Sequence, residues 1–189
     1  MEGVEEGEIV DAEPDTLSLT PEQHERLKSL IHGSDLFDEI TNAENRYLIF
    51  GRNEGELGER RKKLQQLLDS RRSATAFRLE DFGLTSDDIH LWAPAFDVLS
   101  ETATHVVGVL EDYDGGHVWE MGLLYYRQSN VRDTLWILKR TYEDDDLQRE
   151  RYDNGMAASH IAALEESIAD RVVTWRTEDD LEEAVKKVP

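Results

Sequence analysis

Short apolar runs recur along the chain, and five of them span five to seven residues each. They are rich in branched and aromatic residues, as strands buried on both faces are. Between the runs, apolar residues recur every three or four positions, which is the spacing of amphipathic helices. The pattern predicts strands over residues 47–51, 74–79, 104–110, 134–138 and 171–175.

The alternation of strands and helices predicts the fold. Strands connected in this way pair in parallel through right-handed crossovers. We therefore expect an α/β fold, a flavodoxin-like three-layer sandwich with a five-stranded parallel sheet in the order 2-1-3-4-5. Ligands of such sheets bind outside the carboxyl ends of the strands, where the strand order reverses. Gly51 and Arg52 are thus predicted to lie beside the turn over residues 111–120.

Three segments divide the chain. Residues 1–18 carry many acids and few apolar anchors, and they are predicted to be a disordered or loosely attached tail. Thr20 and Pro21 then begin a helix, with threonine as the cap and proline in the first turn. Residues 19–45 are predicted to be a helical appendage that packs on the main domain or, as the alternative, forms a dimer contact. The flavodoxin-like domain is predicted over residues 46–189.

The turn after the third strand and the helix that follows it contain the best candidates for chemistry. Gly115 and Gly116 let the backbone reverse tightly and let a ligand approach it closely. Glu120 follows near the first turn of the helix, where the helix dipole favours an ionised carboxylate. Such a carboxylate can act as a nucleophile or stabilise an oxocarbenium-like centre. The alternative is that Glu120 only stabilises the start of the helix.

Two stretches in this region resemble a known signature. Residues 107–110 read VGVL, and residues 114–122 read DGGHVWEMG. Together they resemble the signature of nucleoside 2-deoxyribosyltransferases. They are equally similar to that of TIR-like nucleotide-binding domains, some of which cleave NAD. The resemblance extends over the central part of the chain and implies the same α/β fold.

The resemblance also implies roles for three carboxylates. In the transferases an aspartate lies six residues before the nucleophilic glutamate, and Asp114 and Glu120 have this spacing. By this resemblance, Glu120 would attack or stabilise the anomeric carbon, and Asp114 would orient the sugar or the glutamate. Asp97, on the preceding helix, would help to protonate the leaving base.

The loop after the first strand departs from the transferase pattern. Gly51, Arg52 and Asn53 stand where the transferases have an aromatic residue soon after the glycine. An arginine here suits a phosphate or pyrophosphate, which favours a nucleotide or NAD over a free nucleoside. A surface ion pair of Arg52 with Glu54 or Glu56 is the alternative.

Other side chains around the turn complete the predicted substrate site. Tyr113 and Trp119 would stack on a base or a nicotinamide ring, with core packing as the alternative. A metal site of Asp114, His117 and Glu120, spaced three residues apart, is a minor alternative, and no metal is predicted. The predicted substrate-binding residues are Gly51, Arg52, Asn53, Tyr113, Gly115, Gly116, His117 and Trp119.

The net charge of the chain indicates the kind of organism it comes from and argues against one class of partner. The chain has 42 acids against 21 lysines and arginines, a formal charge of −21. High acid and little lysine favour a haloarchaeal protein adapted to concentrated salt over an ordinary acidic cytosolic protein. The same charge argues against sequence-independent binding of nucleic acid. The basic patch over residues 60–63 is predicted to lie on the solvent face of a helix.

The composition also excludes several kinds of chemical site and argues against a membrane-spanning or secreted protein. The chain lacks cysteine, which excludes disulfides, thiolate metal sites and cysteine nucleophiles. No apolar run approaches the roughly 20 residues of a membrane span, and the acidic N-terminal region lacks the features of a signal peptide. The sequence therefore predicts a cytoplasmic protein that does not bind membranes.

Two functions remain open at this point. The first is an enzyme that cleaves or transfers the N-glycosidic bond of NAD, a nucleotide or a nucleoside through Glu120, with no cofactor required. The second is a non-catalytic nucleotide-sensing or protein-interaction module of TIR-like fold. In both, the predicted partner is a small-molecule nucleotide or nucleoside, and assembly into a homodimer or homo-oligomer is left open.

Overall fold

The structure, a computed structural model, describes residues 19–126 and 133–189, so the predicted tail lies outside the described residues. In this part of the chain, five strands form one parallel sheet in the predicted order 2-1-3-4-5. Gly51 of the first strand lies opposite Val109 of the third, which brings the carboxyl ends of these strands level. The strands are β1 (Asn45–Gly51), β2 (Ala74–Phe77), β3 (His105–Leu110), β4 (Leu135–Arg140) and β5 (Val172–Trp175).

Helices cover both faces of the sheet, and none in the described part of the chain is both long enough and apolar enough to span a membrane. Short 3-10 helices lie at Leu79–Phe82, Ser86–Leu91 and Ala169–Arg171. The α-helices are α1 (Pro21–His32), α2 (Asp35–Asn42), α3 (Gly55–Asp69), α4 (Trp92–Thr102), α5 (His117–Tyr126), α6 (Asp145–Tyr152), α7 (Gly155–Ser167) and α8 (Glu178–Val185).

Alternate side chains of the central strands enter two separate cores. Leu48 and Phe50 of β1 belong to the core beneath α1, α2, α4, α5 and α7. Tyr47 and Ile49 point to the opposite face, into a core formed with α3 and α8. Both faces of β1 are therefore buried, which explains its continuous apolar run. The predicted flavodoxin-like three-layer sandwich is confirmed.

The N-terminal helical pair shares the first of these cores. Leu27 and Ile31 of α1 and Ile40 of α2 are buried in it. Arg26 of α1 also donates a hydrogen bond to Asp88 of the 3-10 helix before α4, with 3.2 Å between Nε and Oδ1. The pair therefore packs on the sheet domain through apolar burial, and one ion pair adds to the contact.

The second strand is shorter than its apolar pattern predicted. It ends at Phe77, whereas residues 74–79 were expected to be extended. The carboxylate of Asp81 accepts a hydrogen bond from the backbone N–H of Arg78 at 2.9 Å. This contact begins the 3-10 helix Leu79–Phe82, and it places Glu80 at the carboxyl edge of the sheet.

The acidic segment over residues 143–146 runs directly into a helix, because α6 begins at Asp145. Asp144 caps α6 by accepting hydrogen bonds from the backbone N–H groups of Asp146 and Leu147, at 2.9 and 3.0 Å. The chain leaves the helix at residues 153–154 before α7 begins. A run of acids is thus used here as a helix start, where carboxylates are favoured.

Gly108, in the middle of β3, leaves room for the ring of Phe50. A Cβ at residue 108 would lie 2.5 Å from Phe50 Cζ, much closer than van der Waals contact. The Phe50 ring packs edge-on against Phe96 of α4, with 6.2 Å between ring centroids. The glycine therefore allows α4 to pack closely on the sheet, and α4 forms one wall of the candidate site.

We expect Gly108→Ala to lower the free energy of unfolding by about 1–3 kcal/mol, because the added methyl group must displace the Phe50 ring. Urea unfolding at constant salt, followed by circular dichroism, measures this change. Gly155→Ala at the start of α7 is the matched control, since a Cβ there meets nothing within 4 Å. Equal losses in the two variants would contradict this packing effect.

Candidate functional site

A cavity of about 510 Å³ opens at the carboxyl ends of β1 and β3. It lies between the loop after β1, the turn after β3, and helices α4 and α5. This is the position at which a sheet of this order binds its ligands. The predicted site residues that line the cavity are Gly51, Arg52, Asn53, Gly115, Gly116, His117, Trp119 and Glu120.

The turn after β3 is held by Asp112. One oxygen of its buried carboxylate accepts a hydrogen bond from the backbone N–H of Asp114 at 2.9 Å. Its carbonyl oxygen lies 2.9 Å from His117 Nε2 and can only accept, so Nε2 carries the hydrogen. Gly115 has a φ of +99°, which favours glycine over any residue with a side chain. These contacts set the start of α5 and therefore the position of Glu120.

His117 supports the turn as a neutral ring. The side chain is buried between the turn and the cavity. Burial lowers the pKa of His117, and this effect outweighs the nearby Asp112, which favours the protonated form. The imidazole is therefore uncharged at neutral pH, and its established contact is structural.

Glu120 projects a carboxyl group with an unusual pKa into the site. Burial raises the pKa of Glu120 from 4.5 to about 7. The guanidinium of Arg61 acts in the opposite direction, whereas the carboxylate of Glu80 raises the pKa further. The helix dipole led us to expect a fully ionised group, but burial outweighs that effect. Near neutral pH, Glu120 is a mixture of acid and carboxylate.

Arg61 and Glu80 form an ion pair in the wall of the same cavity. Arg61 also donates hydrogen bonds to the carbonyl oxygen of Gly51 at 3.1 Å and to Asn53 Oδ1 at 2.8 Å. One side chain thereby joins α3, the end of β1 and the 3-10 helix after β2. Neither Arg61 nor Glu80 was predicted from the sequence to belong to the site.

The prediction of a solvent-exposed basic patch over residues 60–63 is wrong for its first half. Arg60 and Arg61 are only 8% and 4% exposed, whereas the two lysines reach the surface. The sequence did contain a signal for the burial of Arg61. Arg61 precedes Leu64 by three residues and Leu68 by seven, which places all three on one helix face. The arginine continues the buried stripe of α3.

Arg52 stands at the open side of the cavity. It donates a hydrogen bond to the carbonyl oxygen of Asp114 at 3.1 Å, and its Nε lies 3.8 Å from the Asp112 carboxylate. Among the described residues Arg52 forms an ion pair with Asp112, and not with Glu54 or Glu56, the alternative partners that the sequence suggested. Arg52 therefore connects this loop to the turn and leaves a guanidinium beside the cavity.

Two tryptophans present aromatic surface to the cavity. Trp119 of α5 is 80% exposed. Trp92 of α4 is half-buried, lines the cavity as well, and donates a hydrogen bond from Nε1 to the carbonyl oxygen of Thr85 at 3.2 Å. Trp92 was not predicted to belong to the site, because its spacing from Phe96 matches that of core residues on a helix.

Tyr113, predicted to bind substrate, is not part of the cavity lining. Its side chain is buried, and its hydroxyl oxygen accepts a hydrogen bond from Lys139 Nζ at 2.8 Å. Its ring packs edge-on against Tyr152, with 4.7 Å between centroids. The core-packing alternative therefore holds for this residue.

Asp97 and Asp114 also lie outside the cavity lining. Asp97 follows Phe96 of α4, which lines the cavity, but the aspartate itself does not. The side chain of Asp114 is exposed. Within the described residues, no group of three or more histidine, aspartate or glutamate side chains could hold a metal ion. The geometry thus brings Glu120 to the cavity without the two aspartates that the resemblance paired with it.

Beneath the turn, the carboxylate of Glu111 binds two arginines and is only 2% exposed. Arg60 donates from Nε and Nη2 to its two oxygens, both at 2.8 Å. Arg140 donates to one of them at 2.7 Å, and Tyr142 donates to the Glu111 carbonyl oxygen at 2.7 Å. These contacts join α3, β4 and the segment after β4 to the first residue of the turn.

A comparison with protein families matches residues 15–189 to DUF8170, a family of unknown function. The chain belongs to DUF8170. No curated protein matches its sequence. The resemblance to deoxyribosyltransferases and TIR-like domains therefore stays a prediction for this DUF8170 protein.

We expect Glu111→Gln to destabilise this DUF8170 protein by about 3–5 kcal/mol, because it leaves the buried Arg60 without its counter-charge. Urea unfolding at constant salt measures the loss. Glu56→Gln is the control, since Glu56 pairs with the same arginine but is 89% exposed. We expect that variant to lie within about 1 kcal/mol of the wild type. A Glu111→Gln protein as stable as the control would show that the buried pair is unimportant.

Proposed function

We propose that this DUF8170 protein cleaves or transfers the N-glycosidic bond of NAD, a nucleotide or a nucleoside. The observation that carries this proposal is the carboxyl group of Glu120, which lines a cavity of about 510 Å³ and has a pKa of about 7. A cavity of this size is in the range that holds small ligands and cofactors. The resemblance of the sequence around Glu120 to deoxyribosyltransferases supports the same chemistry.

In the proposed reaction, the carboxylate of Glu120 attacks the anomeric carbon or stabilises the positive charge that forms there. The bond between carbon and nitrogen breaks, and its electron pair goes to the nitrogen of the base. Nicotinamide leaves NAD as a neutral molecule, whereas a purine or pyrimidine takes up a proton as it leaves. Water completes hydrolysis, and a second base completes transfer.

The remaining walls of the cavity suit the other parts of such a substrate. Trp119 and Trp92 offer aromatic faces on which a planar base can stack. Arg52 stands beside the N-terminus of α5, where the helix dipole and a guanidinium both favour a phosphate. These features favour a nucleotide or NAD over a free nucleoside.

A binding module without turnover is the second candidate. The observation that favours it is the position of Asp97 and Asp114, which lie outside the cavity lining. A module that only binds a nucleotide needs the cavity, the aromatic faces and Arg52. It does not need the two aspartates that the resemblance assigned to the reaction.

We expect Glu120→Gln to lose at least about 10²-fold in turnover and to keep its ligand affinity within about threefold, because the amide fills the same space without acting as a carboxylate. The folded protein is incubated in multimolar potassium chloride with NAD and a panel of nucleosides and nucleotides. Chromatography measures the released nicotinamide or base, and calorimetry measures affinity. Glu54→Gln, which changes another carboxylate of the lining, is the control. Binding without any release by the wild type would favour the module.

We expect kcat/KM for release of the base to rise with pH and to level off above about 7. The reactive form is the carboxylate, and burial has raised the pKa of Glu120 from 4.5 to about 7. Below that pH the protonated form dominates, so the rate falls by about tenfold per pH unit. A pH–rate profile measures the midpoint. A constant rate between about pH 5 and 7 would contradict the role of Glu120 as the titrating carboxylate.

A further inference from the structure

A second carboxyl group, that of Glu80, lines the same cavity as Glu120. The two come from different elements, since Glu80 lies on the 3-10 helix Leu79–Phe82 and Glu120 lies on α5. They are close enough for the negative charge of Glu80 to raise the pKa of Glu120. The cavity therefore contains a pair of interacting carboxyl groups, a common arrangement in enzymes that cleave glycosidic bonds.

The surroundings of the two carboxyl groups differ. The carboxylate of Glu80 forms an ion pair with Arg61. Arg61 is itself fixed by hydrogen bonds to the Gly51 carbonyl oxygen and to Asn53 Oδ1, at 3.1 and 2.8 Å. Burial instead favours the neutral form of Glu120. Carboxyl pairs in unequal environments divide the acid, base and nucleophile roles of a reaction between them.

We propose that Glu80 is a second catalytic carboxylate, which accepts the proton of the water molecule that attacks the anomeric carbon. Arg61 is then a positioning residue, because it holds Glu80 against the end of β1. This inference rests on the proposed N-glycosidic reaction and adds to it the residue that activates water.

The proposed steps balance for hydrolysis of NAD. First, the Glu120 carboxylate forms a bond to the anomeric carbon, the bond to nitrogen breaks, and its electron pair leaves with nicotinamide. Second, water forms a bond to the same carbon, and the bond to Glu120 breaks with its electrons returning to the carboxylate. The proton of the water goes to Glu80 and then to solvent. The products are nicotinamide, ADP-ribose and one proton.

We expect Glu80→Gln to allow the first step and to slow the second. Rapid-mixing assays with NAD should show a burst of about one equivalent of nicotinamide, followed by turnover reduced by about 10²–10⁴-fold. Mass spectrometry of the quenched protein should detect the sugar bound to Glu120. Azide needs no base to attack the sugar, so it should restore turnover of Glu80→Gln and form a glycosyl azide. It should not restore Glu120→Gln.

Two further variants control for charge and folding. Glu54→Gln removes a carboxylate from the same cavity without touching Arg61, and it should show neither a burst nor a response to azide. Glu80→Asp keeps a carboxylate at the position and should keep part of the turnover. Circular dichroism in the assay salt verifies that each variant is folded. If Glu80→Gln does not fold, Glu80→Asp provides the test, through a smaller burst and a smaller response to azide.

A titration of Glu120 by carboxyl ¹³C NMR tests the coupling of the two groups without any turnover. Its signal is the one that disappears in Glu120→Gln. Because Glu80→Gln removes a negative charge, it should lower the pH midpoint of Glu120, whereas an unchanged midpoint would show that the two groups do not interact. The charged or titratable side chains that line the cavity around Glu120 are Arg52, Glu54, Arg61, Glu80 and His117.

The outcomes separate the two proposals. If the wild type releases base and Glu80→Gln keeps its turnover within about twofold with no response to azide, the role of Glu80 is wrong and that of Glu120 stands. If the folded wild type releases no base from any substrate, the proposed function fails. The titration then tests whether Glu80 and Glu120 interact. An unchanged midpoint of Glu120 in Glu80→Gln overturns the pairing of the two carboxyl groups, and a lowered midpoint supports it.

Discussion

The buried contact of Glu111 with Arg60 and Arg140 sets the position of the turn on which the candidate site depends. A carboxylate withdrawn from water at the end of β3 needs counter-charges, and α3 and β4 supply one each. The turn begins at that anchored residue, so its glycines and the start of α5 have a defined place. Replacing such a network by apolar residues often costs little stability, whereas removing a single partner leaves a buried charge without compensation.

The carboxyl groups of Glu111 and Glu120, at the same edge of the sheet, differ in their counter-charges. Glu111 accepts hydrogen bonds from two guanidinium groups. At Glu120 burial raises the pKa, and the opposing effect of Arg61 is itself opposed by Glu80. The free-energy cost of burying a carboxylate is thus offset by two guanidinium groups at Glu111 and is only partly offset at Glu120. Burial without full compensation is one of the ways in which a carboxyl group acquires a pKa suited to proton transfer near neutral pH.

The strand order and the location of the crevice could be predicted because they depend on local periodicity and on general rules of chain connection. The turn residues could be predicted because glycines and acids after a buried strand are local signals. Arg61 and Glu80 could not be predicted in this way, since they reach the cavity only through the packing of α3 and of the 3-10 helix after β2. Asp97 shows the converse. The resemblance to the transferases assigned it to the site, but Phe96, the residue before it on α4, lines the cavity and Asp97 does not.

The contacts of Arg61 also affect how the crevice can change shape. One guanidinium ties the last residue of β1, the loop that follows it and the 3-10 helix after β2 into a single unit. A displacement of any one of these segments therefore disrupts its contact with the guanidinium that also holds the other two. Across the cavity, the same loop contacts the turn before α5 through the hydrogen bond from Arg52 to the carbonyl oxygen of Asp114. The loop after β1 is thereby held from both sides, by Arg61 through Asn53 and by Arg52 through the turn, so two arginines set the width of the crevice at this edge of the sheet.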